Sequence, residues 1–353
     1  MTTENKPAEI KSAERTSIET NSSWNFDWPK PYPDTQATAV LKAEPEHFQV
    51  DEIPLIQPQG EGEHVYIYMR KKNVNTHWVA KLIANAFGVK EMDVSYAGMK
   101  DRHAVTTQWF SVYAPKSELV LAERPFEGED VEVLQQVRHS KKLRRGDLLG
   151  NRFKIRLTDL QGDQTAIEAN LNQIKQQGVA NYFGAQRFGH HGGNMDKALS
   201  MLTGERRERN KQKRSIYLSA ARSYIFNEVL AARIAQGLWG KSIAGDIDVD
   251  GQPVGNAEMA TAPMWGRGKL SSAESCLELE TQIAESQPAL CDGLEHAGLN
   301  QERRQLVSAV EGLSWCWHDQ QQLELTFSLA AGQYATSVLE AFVTVTEPDR
   351  LVD

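Results

Sequence analysis

Apolar and polar positions along the chain follow two periods, and each change of period marks an element. The first 23 residues are polar and without periodicity, so they are expected to be disordered. Residues 24–38 (WNFDWPKPYPDTQAT) carry three prolines and read as an extended lead-in. From Ala39 the pattern becomes strand-like. Val40–Lys42 and Phe48–Ile53 are short runs split by Glu44-Pro45, and His64–Arg70 (HVYIYMR) alternates residue by residue. A helical stripe follows, with Trp78, Val79, Leu82, Ile83, Ala86 and Phe87 on one face, Asn75 or Thr76 as N-cap and Gly88 at the end. Ser95–Lys100 leads into a loop. Ala104–Tyr113, Val131–Arg138 and Arg152–Leu157 read as further strands, and Ala166–Gln176 as a helix.

Between residues 178 and 316 the pattern differs. GVANYFGAQRFGHHGGN opens this part, and a helix over Ser219–Gln236 follows. Then come a stretch rich in Gly and Asp and a polar region over Asn300–Val310 that predicts another helix. Strand signals return at Leu323–Leu329, and Thr336–Phe342 predicts a closing helix. Strands at both ends around a different middle predict an α+β domain, residues 24–177 plus 317–353, interrupted by an insertion over 178–316. The length of 353 residues suits two such parts.

Composition narrows the class. Hydrophobic residues make up 40%, enough for sizeable cores. Mean hydropathy is −0.51, and no run approaches the roughly 18 to 20 apolar residues of a membrane span. The N-terminus has no apolar core of a secretory signal. Cys276, Cys291 and Cys316 form no CxxC pair, and so sparse and odd a set fits a reducing cytoplasm. The net charge of −8 argues against a generic nucleic-acid coater. Any RNA contact must use local cationic runs, of which there are two: Arg138–Arg145 (RHSKKLRR), with Lys141, Lys142 and Arg144, and Arg206–Arg214 (RRERNKQKR). A solvated face is the plain alternative for each.

Four segments concentrate candidate chemistry. AGMKDRHA at 97–104 sets Asp101 between Lys100 and Arg102 at a strand–strand junction, where the plain reading is a charged turn. Gly150-Asn151-Arg152-Phe153 follows the first cationic run, and Phe153 also fits an alternating core strand. NYFGAQRFG at 181–189 interleaves aromatics, amides and Arg187 with glycines, as base stacking and edge recognition require, or as a packed domain junction does. AGQYATS at 331–337 places Tyr334 before a helix start. His190-His191 lacks a third ligand at zinc-like spacing, and no Walker loop, GxGxxG or GxSxG is present, so neither metal nor cofactor is expected.

Taken in order, these segments resemble the TruD family of pseudouridine synthases. AGMKDRHAVTTQW resembles the family's catalytic motif and puts its aspartate on Asp101. LKAEPEHFQVDEIP is similar to the N-terminal signature and puts its basic residue on Lys42 and an aromatic on Phe48. KKLRRGDLLGNRF is similar to the segment supplying Asn151 and Phe153 to a uridine pocket. GVANYFGAQRFG and KRSIYLSAARSYIFN resemble parts of the family's insertion domain, and LAAGQYATSVL the return to the catalytic domain. Met99 and Tyr334 depart from the usual residues at their positions, the latter standing where phenylalanine is usual.

The resemblance implies a mixed, mostly antiparallel catalytic sheet with an inserted second α+β domain. It also implies isomerisation of the uridine at position 13 of tRNA, without metal, cofactor, membrane or protein partner. Asp101 is then the catalytic carboxylate, with Lys42 as the cation that keeps it ionised and Phe48, Asn151, Phe153 and Tyr334 as the uridine pocket. Lys100, Arg102, Arg138, Lys141, Lys142, Arg144, Arg145 and Arg187 are expected to face RNA. The alternatives are an RNA-binding protein or chaperone on the same fold, which has no need of Asp101, and a metal-free ribonuclease using Asp101 and His103, which would cleave the strand.

Overall fold

The computed structural model describes residues 24–349, so the disorder expected of residues 1–23 lies outside the described residues. The first half contains β1 (Thr38–Val40), β2 (Phe48–Pro54), β3 (His64–Lys72), α1 (Thr76–Phe87), β4 (Val94–Tyr96), β5 (Val105–Tyr113), β6 (Val131–His139), β7 (Leu148–Gln161) and α2 (Gln164–Gln177). The middle contains β8 (Val179–Ala180), α3 (Gly193–Leu202), α4 (Lys211–Ala235), β9 (Thr261–Met264), α5 (Glu274–Ser286), α6 (Pro288–His296), β10 (Glu302–Gln305) and β11 (Val307–Ser308). The chain closes with β12 (Glu311–Asp319), β13 (Gln322–Ala330), α7 (Ala335–Glu340) and β14 (Thr344–Thr346).

The fold is α+β. Ten strands make one sheet in the order β12-β13-β7-β2-β5-β3-β6, with β1 beside β7 and β14, and β4 beside β5. Among the described residues, the parallel pairs of this sheet are β2–β5 and β1–β14. β7 is the spine. Its alternation sends Phe153, Ile155 and Leu157 inward, in register with Phe327, Leu325 and Leu323 of β13. β2 adds Phe48 opposite Ile155 and Val50 opposite Phe153, and α2 and α7 cover this face with Ile167, Leu171, Ile174, Val338 and Leu339. Period-2 side chains on paired strands give one continuous apolar layer.

α1 starts where its cap was expected, since the Asn75 side chain accepts from the His77 N–H, and Gly88 ends it in the left-handed region at φ 63°. Its buried stripe differs from the expected one. Thr76, Val79, Ala80, Ile83 and Ala84 face the sheet, whereas Trp78 is 41% exposed and donates its indole N–H to Glu129. A tryptophan with a polar handle gains a partner at a surface where a leucine would gain nothing.

The middle of the chain packs around α4, which begins at Lys211 rather than near Ser219 because Asn210 caps it, accepting from Lys213 N–H. α4 buries residues on all sides, among them Tyr224, Ile225, Phe226 and Leu230. The lead-in crosses this body: Phe26 stacks on Phe188 at 5.0 Å and Trp28 on Tyr182 at 5.7 Å. The helix expected over Asn300–Val310 is instead β10 and β11, paired with β9 and β8. The polar residues there are not a solvated helix face. Arg303 makes a bidentate pair with Glu280, and Arg304 donates to the Asn181 carboxamide at 2.5 Å. The expected boundary at 316–317 falls inside β12, which pairs with β13 in the large sheet from Glu311 onward.

Candidate active site

Asp101 lies in the loop between β4 and β5, and that loop is held by buried polar contacts. Gln108 Nε2 donates to the Gly98 carbonyl at 2.9 Å. The Thr76 hydroxyl accepts from the Lys100 N–H at 3.0 Å. The Lys100 ammonium meets Glu52 at 2.9 Å, both side chains almost fully buried, and Glu52 also accepts from the Trp109 N–H. Lys71 Nζ donates to the Asp101 carbonyl at 2.7 Å. With the main chain fixed this way, the Asp101 carboxylate projects outward with 53% of its side chain exposed.

Facing it is Lys42, just past β1, with Nζ 3.5 Å from Asp101 Oδ2 and 3.1 Å from Glu347 Oε1. Lys42 has φ 56°, a backbone conformation that non-glycine residues seldom adopt outside functional or turn positions. Its place is set by β14: Val40 pairs with Thr346, and the Leu41 N–H donates to the Thr346 carbonyl at 2.8 Å. The Lys42 ammonium also sits 4.6 Å from the centre of the Phe48 ring, a cation–π contact that helps hold a cation with only 12% of its side chain exposed.

These groups open on a cleft of about 350 Å³ lined by Lys42, Phe48, Asp101, Asn151, Phe153 and Tyr334, together with Met99, Gln186 and Glu347. Phe48 meets Phe153 edge-on at 6.2 Å, and Phe153 stacks on Phe327 at 5.4 Å, so the two expected aromatics form the cleft floor rather than free-standing walls. Asn151 stands opposite Glu52 of β2 and Leu329 of β13, and its Oδ1 is buried without a partner among the described residues. The preceding Gly150 allows this: a Cβ there would run into the Leu329 carbonyl. Tyr334 stands at the N-terminus of α7 on the cleft rim.

The expected RNA-facing cations divide. Arg102, Lys141, Arg144 and Arg145 are exposed. Arg145 lies over the Tyr96 ring at 5.6 Å, and the Gly146 N–H donates to the Ala97 carbonyl, which ties the cationic loop to the Asp101 loop. Lys142, also exposed, donates to the Met92 carbonyl at 3.0 Å. Arg187 is half-buried, 5.2 Å from the Phe183 ring centre, and donates to Ser219. The other two have partners within the protein. Lys100 lines the cleft and pairs with buried Glu52. Arg138 donates to the carbonyls of Gly62, Ala114 and Ser117, and so fastens neighbouring loops.

Sequence reasoning missed Glu347, Gln186, Lys71 and Arg304. The Arg304 guanidinium lies 4.2 Å from the Phe183 ring centre, and its burial pulls its pKa down to about 10. Of these only Lys71 carries a recognisable local signal, a cation near the end of an alternating strand. Among the described residues no helix is long and apolar enough to cross a membrane.

Comparison with known proteins bears on the same segments. The family model of tRNA pseudouridine synthase D (TruD) matches residues 33–208. The tRNA pseudouridine synthase D of Cellvibrio japonicus is 43% identical over 327 residues, covering 92% of this chain and 95% of that protein. The one from Methylococcus capsulatus is 41% identical over 335 residues, covering 90% and 94%. Among solved structures, a TruD described as putative, from Methanosarcina mazei, superposes with a TM-score of 0.68 at 19% identity, over 89% of this chain and 95% of that one. At that identity the last likeness bears on the fold alone.

Proposed function

The chain belongs to the TruD family of tRNA pseudouridine synthases, and from this premise we propose that it isomerises the uridine at position 13 of tRNA with Asp101 as its carboxylate. In such a reaction the N1–C1′ bond breaks, the uracil turns while held, and C5 bonds to C1′, with C5 losing its proton and N1 gaining one. Nothing is oxidised and no group leaves, so an ionised carboxylate at the sugar and a slot that retains the base are the main demands. The carboxylate adds to the sugar or base, or takes a sugar proton; where the glycosidic bond breaks with oxocarbenium character, an ionised carboxylate beside C1′ stabilises the developing charge.

One observation carries the reading: the Lys42–Asp101 pair at the mouth of the cleft. Taking a carboxylate out of water favours its neutral form, and a cation within a few ångströms opposes that. Asp101 is half-exposed in the free protein, so bound RNA itself must complete its enclosure. The uridine must leave its stack to reach it. The floor of Phe48 and Phe153, with Tyr334 at the rim, offers apolar surface to the flipped base. The unpartnered Asn151 Oδ1 suits the N3–H of uracil, a donor that strengthens discrimination against cytosine.

The test is to map pseudouridine in RNA from cells lacking the gene and complemented with wild type or Asp101→Asn. The expected result is loss of pseudouridine at position 13 in the deletion and restoration by wild type alone. Pseudouridine that persists in the deletion, or returns with the Asn variant, overturns the assignment.

A further inference from the structure

Among the described residues Lys71 is the one lysine in the set of largest fully buried side chains, at 1% exposure, and it sits near the end of β3. At its register the neighbouring strands offer Thr106 of β5 and Val131 of β6, neither of which is charged. Its ammonium donates to the main-chain carbonyl of Asp101 at 2.7 Å. The charged groups that face it are Asp101 and Lys100, and Lys100 is paired with Glu52. Lys71 therefore differs from Lys42. Lys42 meets the carboxylate from the open cleft, and Lys71 meets the same residue from the protein interior.

Burying an ammonium is unfavourable, and an apolar side chain of similar length would fill the space without that cost. Holding one carbonyl in a turn calls for a hydrogen-bond donor, which a neutral side chain also provides. A full charge at that point acts on what lies beyond the carbonyl. We propose that Lys71 is a positioning residue for Asp101, fixing the main chain of the aspartate and placing a positive charge on the buried side of its carboxylate. The inference rests on Asp101 being the catalytic group.

The two parts of this role separate with pH. Burial depresses the Lys71 pKa to about 8, Asp101 raising it and Lys100 lowering it further. Above that pH the neutral amine still donates to the carbonyl, but the charge behind the carboxylate is gone. Arginine in the same place keeps its charge throughout.

The experiment measures single-turnover pseudouridine formation on saturating enzyme from pH 6.5 to 9.5, for wild type, Lys71→Met and Lys71→Arg, with tRNA binding measured alongside. Lys71→Met is expected to bind tRNA within about 3-fold of wild type yet react about 100-fold more slowly, the size of effect a displaced catalytic group gives. Wild type is expected to slow above about pH 8, and Lys71→Met should lack that decline. Ionisation of the substrate is common to all three enzymes and cancels in the comparison. If Lys71→Met does not fold, Lys71→Arg decides, because its profile should stay level where wild type declines. Profiles of the same shape in wild type and either variant overturn the proposal and leave Lys71 as a loop staple. A fully active Asp101→Asn control would instead overturn the functional reading beneath it.

Discussion

Phe153 lies on the cleft and in the core at once: 7% exposed, edge-on to Phe48 and stacked on Phe327. Its deletion therefore does two things. Phe153→Ala should cost about 3–5 kcal/mol of stability through lost burial and the cavity left between β2, β7 and β13. It should also slow catalysis beyond what the folded fraction explains, by about 5- to 150-fold if base stacking of 1–3 kcal/mol is lost. Thermal melts together with single-turnover rates at a temperature where the variant is folded separate the two. A variant that melts like wild type would show that the ring is not in the core. Lys71 makes a second residue-level prediction. Its folded pKa, near 8, lies below the ordinary 10.5. Between those values the unfolded chain holds a proton that the folded protein has released, so folding becomes more favourable as pH rises through that window. Wild type should gain up to about 3 kcal/mol relative to Lys71→Met over that range, read from denaturant melts at each pH. A constant difference would place the ammonium in contact with water.

At the scale of elements, buried ion pairs fasten the middle of the chain to α4. Arg233 grips Asp246 through two hydrogen bonds of 2.6 and 3.0 Å, and Asp246 also accepts from the Ile243 N–H. Asp246→Ala leaves a guanidinium buried and unpaired, and should cost about 3–5 kcal/mol, while the double change to apolar residues should recover part of that loss. Chemical melts of the single and double variants check this, and equal losses in both would show that the charge is solvated. Local signals of this kind were readable in part. The Asn75 cap and the glycine stop of α1 are short-range rules, and the alternation of β7 is a short-range period. What the sequence did not reveal depends on pairings far apart in the chain. β14 pairs with β1 across most of the length, and only that pairing brings Glu347 to Lys42. Arg303 and Arg304 read as a helix face because their partners, Glu280 and Asn181, are invisible to any local period. Lys100 looked like a phosphate contact for the same reason, since Glu52 reaches it from another strand.

At the scale of the whole molecule, a chain of net charge −8 must hold a polyanion, and the structure narrows which cations are free to help. Arg138 and Lys100 are engaged inside the protein. The two cationic runs line separate cavities. Lys142, Arg144 and Arg145 line one together with Tyr96 and His77, whereas Arg206, Arg207 and Arg214 line the other together with Gly293 and His296. In the second run Arg206 pairs with Glu208, which offsets part of that run's charge, and Arg214 donates to the Ala297 carbonyl. The first run is tied through Gly146 to Ala97, close in sequence to Asp101, and is therefore the run to test first for phosphate contact. Each phosphate neutralised there releases counterions, so log affinity should fall with log salt by about 0.7 to 0.9 per contact. Reversing Lys141, Lys142, Arg144 and Arg145 to glutamate should therefore flatten the slope by up to about 3 and raise the apparent KM. The single-turnover rate on RNA already bound should change far less, because binding shared by ground and transition states is what was removed. Affinity measured against salt for both proteins, with rates at saturation, gives both quantities. A slope unchanged in the variant would move the RNA path to the other cationic run, and equal reversal of Arg206, Arg207, Lys211 and Arg214 would then carry the loss.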